Sequence, residues 1–377
     1  MKRILMVGSL GLCAVFGLAA GARSEGPSPG PSAQIALLLD TSNSMDGLIG
    51  QAKAQLWSVV NEFIRARRDG RPASIQVALY EYGNAGLPAG EGFVRLVLPL
   101  TDDLDAVSEK LFALKTNGGE EYCGQVIREA TGQLNWSHSA GVYKAIFVAG
   151  NEPFTQGSVD YRSSCRAAIE RGIIVNTIFC GPSDTGEQTG WRDGAVLADG
   201  RYLSIDQDKA IAAIPAPQDA EIARLGLAMN GTYIPYGKMG SDGLARQSAQ
   251  DANASSASPN AVISRSISKG SSALYCNDAW DLVDAINNGR CKLDDLADDA
   301  LPADLRSLSK ADRKARVDDK IRDRAAYQKQ ILALNVERVA FLAAERRKQA
   351  AAGVETLDSA ILKAVREQAT RANIRFE

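Results

Sequence analysis

Four short apolar runs, spaced along the chain with amphipathic stretches between them, set the strongest limit on how this sequence can fold. They read IALLLD from Ile35, SIQVALYEY from Ser74, YKAIFVAG from Tyr143 and IIVNTIFCG from Ile173. Each is too short for a helix and largely apolar, as strands buried on both faces are. The segments between them, including DLDAVSEKLFALK, EYCGQVIREATGQL and SVDYRSSCRAAIERG, have helical periodicity. Strands alternating with helices predict an α/β fold: a Rossmann-like, doubly wound, mainly parallel sheet flanked by helices. GFVRLVLPL is read as a further strand at an edge, and a helix is expected from about residue 45 to 67.

The 377 residues suffice for more than one such layer. Lys2 and Arg3 precede an apolar run ending near Ala20-Gly21-Ala22, which reads as a signal peptide over residues 1–22, so the mature protein is expected in the periplasm or outside the cell, without a stable membrane anchor. Two of the 43 basic side chains leave with that peptide, and the remaining 41 face 45 acidic ones. A mildly acidic balance gives no footing for nucleic acid. Residues 23–33 form a Pro/Gly/Ser leader. The domain is set at 34–236, its core at about 34–210, with 237–275 as linker or irregular chain and 276–377 as a helical C-terminal region. Within that region a long helix is expected over about 309–351, its apolar stripe carrying Ile321, Ala325, Leu332, Val336, Val339 and Ala343. Either the stripe packs on its own domain, or it mediates self-association as a coiled coil. VLADGRYLSI (196–205) and LAMNGTYIPY (227–236) echo each other as helix end, glycine and short strand.

At the carboxyl end of the first strand the sequence reads DTSNSM. Asp40, Ser42 and Ser44 offer a carboxylate and two hydroxyls in one tight turn, where ligands of open parallel sheets collect. Hard divalent cations favour such oxygen donors. The plainer alternative is helix capping, for which Asp and Ser are preferred. DTSNSM opening a sheet-and-helix alternation resembles the D-x-S-x-S motif of the von Willebrand factor type A domain. NGGEEYCG and FVAGNEPFTQG are similar to a group of exported bacterial proteins of that class without an assigned activity.

The resemblance implies a metal-ion-dependent adhesion site, completed by a Thr from a second loop and an Asp after the fourth strand. Here Glu121 stands at the Thr place and Gly150 at the Asp place. Glu121 and Glu152 are therefore candidates to restore the metal shell around Asp40, Ser42 and Ser44, giving a site for Mg²⁺ or Ca²⁺ rich in carboxylates. The function that follows is a non-catalytic exported module binding a protein ligand at the carboxyl edge of the sheet. The alternatives are an envelope thiol-redox factor or enzyme using Cys123, and a scaffold acting through its C-terminal helix.

Cys123, Cys165, Cys180, Cys276 and Cys291 remain after residue 22, and export favours pairing. Cys180 is expected to pair with Cys123, or alternatively with Cys165. Cys276 and Cys291 flank a probable helix that would hold them ~20 Å apart. His138, the one histidine, falls before the fourth strand, at the amino end of the sheet, away from any nucleophile at the other edge. No C-x-x-C or phosphate loop is present.

Overall fold

The computed structural model describes residues 30–47, 49–205, 214–351 and 357–376. The expected signal peptide and residues 23–29 of the leader lie outside them. The elements run β1 (Ala33–Asp40), α1 (Ile49–Glu62), β2 (Ala66–Arg68), β3 (Arg71–Pro72), β4 (Ile75–Tyr82), β5 (Val94–Thr101), α2 (Leu104–Ala113), α3 (Cys123–Gln133) and β6 (Tyr143–Gly150). Then come α4 (Tyr161–Glu170), β7 (Ile174–Cys180), α5 (Ser183–Gln188), α6 (Trp191–Leu197), β8 (Tyr202–Ile205), α7 (Asp219–Asn230), α8 (Gly240–Ala257) and α9 (Pro259–Gly270). The chain closes with α10 (Leu282–Asn287), α11 (Ala303–Arg306), α12 (Lys310–Ala351), α13 (Leu357–Thr370) and β9 (Ile374–Phe376).

The main sheet has the order β5-β4-β1-β6-β7-β8, parallel except where β5 joins β4 at the edge. This is the mostly parallel, doubly covered sheet that the apolar runs require. β1 lies inside it, paired to β4 on one side and β6 on the other, and all eight of its residues are buried. Alternate residues serve opposite faces. Ile35, Leu37 and Leu39 pack with Trp57, Val60, Ile267, Ile361 and Val365, whereas Ala36 and Leu38 pack with Val126, Ile127, Phe154 and Trp191. Each large apolar side chain so buried contributes ~1.5–3 kcal/mol.

The C-terminal third therefore belongs to the core. Gln368 on α13 accepts a hydrogen bond from the Tyr143 hydroxyl at 2.9 Å, and β9 pairs with β2 in a small second sheet, β3-β2-β9. The helix expected to reach residue 67 ends at Glu62, because the chain turns into β2 and its hairpin at Asp69-Gly70. The stretch 237–275, expected as linker or irregular, is largely α8 and α9. Its buried side chains are mostly polar, among them Gln247, Gln250, Arg265, Ser266, Ser268 and Lys269. The echo at 227–236 yields no strand. Ile234 donates its N–H to the Asp281 carboxylate at 2.8 Å, and only a single bridge, Pro235 to Asp281, forms.

The face that α12 buries overlaps only in part with the stripe the spacing suggested, Ile321 and Leu332 packing against the core as partly buried members. Val317, Arg324, Ile331, Asn335 and Leu342 are buried against the rest of the chain, while Ala325, Val336 and Ala343 are exposed. Arg324 explains the shift of register. Its guanidinium reaches Asp281 at 3.1 Å, Asp284 at 2.9 Å and the Thr232 hydroxyl at 2.5 Å, and lies 4.0 Å over the ring of Tyr233. Removing one partner of such a buried cluster strands the remaining charges. Arg324→Ala is expected to lower stability by ~3–5 kcal/mol in chemical denaturation, and an unchanged midpoint would contradict the packing described.

Candidate functional site

β1 delivers Asp40 to the carboxyl edge of the sheet with no exposed surface. The Ser42 N–H donates to Asp40 Oδ1 at 2.8 Å, an Asx-type turn that ends the strand and starts a short 3₁₀ turn over Asn43–Met45. Ser42 holds the N-cap position of that turn but makes no side-chain cap. The capping alternative thus accounts for one oxygen of Asp40 and for neither hydroxyl. Ser42 Oγ and Ser44 Oγ lie 2.8 Å apart, and Ser44 Oγ donates to Asn151 Oδ1 at 2.9 Å. Asn151 Nδ2 returns a bond to the Ser44 carbonyl at 3.2 Å, locking the first loop to the loop after β6.

Asp40 Oδ2 is buried and has no hydrogen-bond partner. Burial pushes the Asp40 carboxyl up to about 7; hydrogen bonds from Ser42 and, more weakly, from the Asn151 backbone N–H pull the other way, and the nearby charge of Glu121 adds to the rise. Glu121, also buried, is raised by its own desolvation, with a hydrogen bond from Ser42 opposing and the charges of Glu152 and Glu120 adding. Its N–H is held by Gln156 Oε1 at 3.1 Å.

Of the five residues assigned from sequence, the structure brings Asp40, Ser42, Ser44 and Glu121 together. Glu152 is half-buried on the loop after β6, where it repels Glu121; its carbonyl accepts from the Trp191 indole at 2.8 Å. Among the described residues no three Asp, Glu, His or Cys side chains converge as a metal cage. A shell of three carboxylates is therefore not formed. Oxygen donors at this edge come from Asp40, Glu121 and two hydroxyls. Asn151, which sequence reasoning passed over, is the residue that closes the site from the β6 side; its place directly after Gly150 was the available signal.

Gly150 has a steric reason. A Cβ there would sit 2.4 Å from the Tyr82 hydroxyl and 3.0 Å from Asp40 Oδ2. Tyr82, wholly buried, donates to the Ala149 carbonyl at 3.0 Å and fills the space into which a side chain at position 150 would rise. Gly83 is under the same constraint. It has φ +77°, and a Cβ would meet Asp40 Oδ1 at 2.7 Å.

The five cysteines each carry a free thiol, so neither expected bridge forms. Cys123 Sγ faces the Tyr82 hydroxyl at 3.6 Å, and Cys180 Sγ faces the Ile178 carbonyl at 3.9 Å. Burial pushes the Cys123 and Cys180 thiols far up and Cys165 up to about 12, the reverse of an activated thiolate. Cys276 and Cys291 flank a helix of only six residues, and the Cys276 sulfur accepts from Asn288 instead. His138 is exposed on its loop.

Gly150→Ala is expected to cost ~1–3 kcal/mol by overpacking, and adding Tyr82→Phe should recover part of that loss. A Gly150→Ala protein as stable as wild type would contradict the close approach.

Residues 34–189 match the family model described as the von Willebrand factor type A domain. No curated protein matches the chain. Among solved structures, the conserved hypothetical protein BatB from Bacteroides thetaiotaomicron aligns at 19% identity over 46% of this chain and 90% of its own, with a TM-score of 0.36. The VWA domain of SpRpn10 aligns at 16% identity over 49% and 89%, also at 0.36. Proximal thread matrix protein 1 from the mussel byssus, described with a zinc-occupied MIDAS motif, aligns at 12% over 48% of this chain and 43% of its own, at 0.34. Over residues 34–189, this chain is a von Willebrand factor type A domain.

Proposed function

We propose that the protein is a non-catalytic binding module, exported to the periplasm or beyond, that engages a protein ligand at the carboxyl edge of its sheet through a divalent cation. The observation that carries this reading is Asp40 Oδ2, a buried carboxylate oxygen without a partner, in a turn whose Ser42 and Ser44 hydroxyls lie 2.8 Å from each other. Leaving such an atom unpaired costs ~1–3 kcal/mol, and a cation at this edge removes that cost. The donor set fits. Two neighbouring ligands on Mg²⁺ at ~2.1 Å lie about 3 Å apart, close to the 2.8 Å between Ser42 Oγ and Ser44 Oγ. Asp40, Ser42 and Ser44 would hold the ion directly, with Glu121 beside them on Ser42 and Asn151 fixing the rotamer of Ser44.

The departures from the family pattern bear on what the site binds. Gly150 adds no charge, so the carboxylates at the centre of the site are Asp40 and Glu121. Mg²⁺ keeps several waters when only one or two carboxylates bind it, and a ligand carboxylate can displace one of those waters. The thiol-redox alternative loses support because the buried cysteines near the site are held as neutral thiols.

Isothermal calorimetry with Mg²⁺ and Ca²⁺ tests the reading. Wild type should bind with a stoichiometry near one, and Asp40→Ala should lose that binding by at least tenfold while remaining folded. Equal binding by the two proteins, or heat from neither, would overturn it.

A further inference from the structure

Away from the sheet edge, Lys269 is only 2% exposed at the end of α9, and its amine has two close partners on two other helices. Nζ lies 2.7 Å from Asn230 Oδ1, on α7, and 2.7 Å from Asp251 Oδ2, on α8. The same Asp251 Oδ2 accepts from Asn230 Nδ2 at 2.7 Å. An ion pair would need only the carboxylate. Here the amine, a carboxamide and one carboxylate oxygen close a three-membered ring of contacts.

The surroundings supply what amide chemistry needs. Gln247 Nε2 donates to Asn230 Oδ1 at 3.1 Å, on the oxygen that would carry developing negative charge if the carboxamide carbon were attacked. Arg265 Nε holds the other oxygen of Asp251 at 2.5 Å and fixes its orientation. The approach of the helices is enforced by Gly226, where a Cβ would lie 2.1 Å from Ser266 Oγ; one turn further along α7, Asn230 reaches Lys269 on α9. Desolvation brings the Lys269 amine down to about 8, against the pull of Asp251. The neutral form of that amine is the nucleophile, beside an Asp251 carboxyl that Lys269 and Arg265 hold below its usual range in spite of its burial.

We propose that Lys269 and Asn230 join in an intramolecular isopeptide bond, formed within the folded protein with Asp251 as proton shuttle and Gln247 as donor to the amide oxygen. Nζ gives a proton to Asp251 and its lone pair forms a bond to Asn230 Cγ. The bond from Cγ to Nδ2 breaks, and the departing nitrogen takes both protons shed by Nζ, one of them handed on by Asp251, and leaves as ammonium. The ammonium of Lys269 and the carboxamide thus become a secondary amide and ammonium ion. No oxidant or external reagent enters. The bond would tie α7 to α9 across 39 residues of chain, on the side of the sheet that the C-terminal helices cover.

The test is mass spectrometry on the purified full chain. The intact denatured mass should fall short of the sequence mass by one ammonia, after allowance for any N-terminal processing. A tryptic map should contain a branched peptide joining the segment with Asn230 to the segment with Lys269, and no cleavage after Lys269. Asp251→Asn and Lys269→Arg should each restore the full mass and linear peptides. A wild-type map with linear peptides and cleavage after Lys269 would overturn the proposal without any variant, leaving a hydrogen-bonded ion pair. An Asp251→Asn protein that still loses ammonia would overturn the assigned shuttle.

Discussion

A carboxylate forced to zero exposure at the end of a doubly paired strand is the constraint around which the carboxyl edge is arranged. β1 is flanked by β4 through Asp40 and by β6 as far as Leu39, so its last residue emerges between two neighbouring strands. One oxygen of Asp40 is absorbed by the turn it creates. The other is left facing Gly150, where the Tyr82 hydroxyl also crowds in. Desolvation then opposes the charge that makes the residue useful. Gly150 and the inward Tyr82 crowd that oxygen, Gly83 crowds the other, and the clasp between Ser44 and Asn151 joins the two flanking loops.

The second dependency runs through polar burial. The C-terminal helices cover one face of the sheet, yet they attach through charged and amide groups as much as through apolar ones. Asp105 on α2 accepts from Arg265 at 2.7 Å and from the Tyr275 hydroxyl at 2.5 Å, all three buried. Asn176 and Gln368 pair by side chains at 2.7 Å, joining β7 to α13. Such networks are strong only when complete, because each unpaired member is costly in low dielectric. They also make the later helices part of the domain's core, so that truncation at residue 309 would strip Ile361, Val365 and Ile374 from it.

How much was legible follows from the same physics. The apolar strands declared themselves, because a strand buried on both faces can hardly be written in other residues. DTSNSM marked the turn at which the fold gathers Asp40, Ser42 and Ser44. What hydrophobic periodicity could not show was a core built of polar residues. α8 and α9 lie in RQSAQDANASSASPN and its continuation, small and polar in composition, and bury Gln250, Arg265 and Lys269 in place of leucines. On α12 the same blindness moved the expected stripe, since Arg324 and Asn335 belong to the packed face and Val336 does not. The disulfides were expected from the compartment, an argument about chemistry available to the chain rather than about geometry. Asn151 escaped notice because the family pattern directs attention to position 150, where Tyr82 leaves no room.

If the enclosed oxygen of Asp40 is kept for a cation, crystals grown with Mn²⁺ and measured at its absorption edge will show an anomalous peak within ~2.3 Å of Asp40 Oδ2, Ser42 Oγ and Ser44 Oγ. A map with no peak there would rule the cation out.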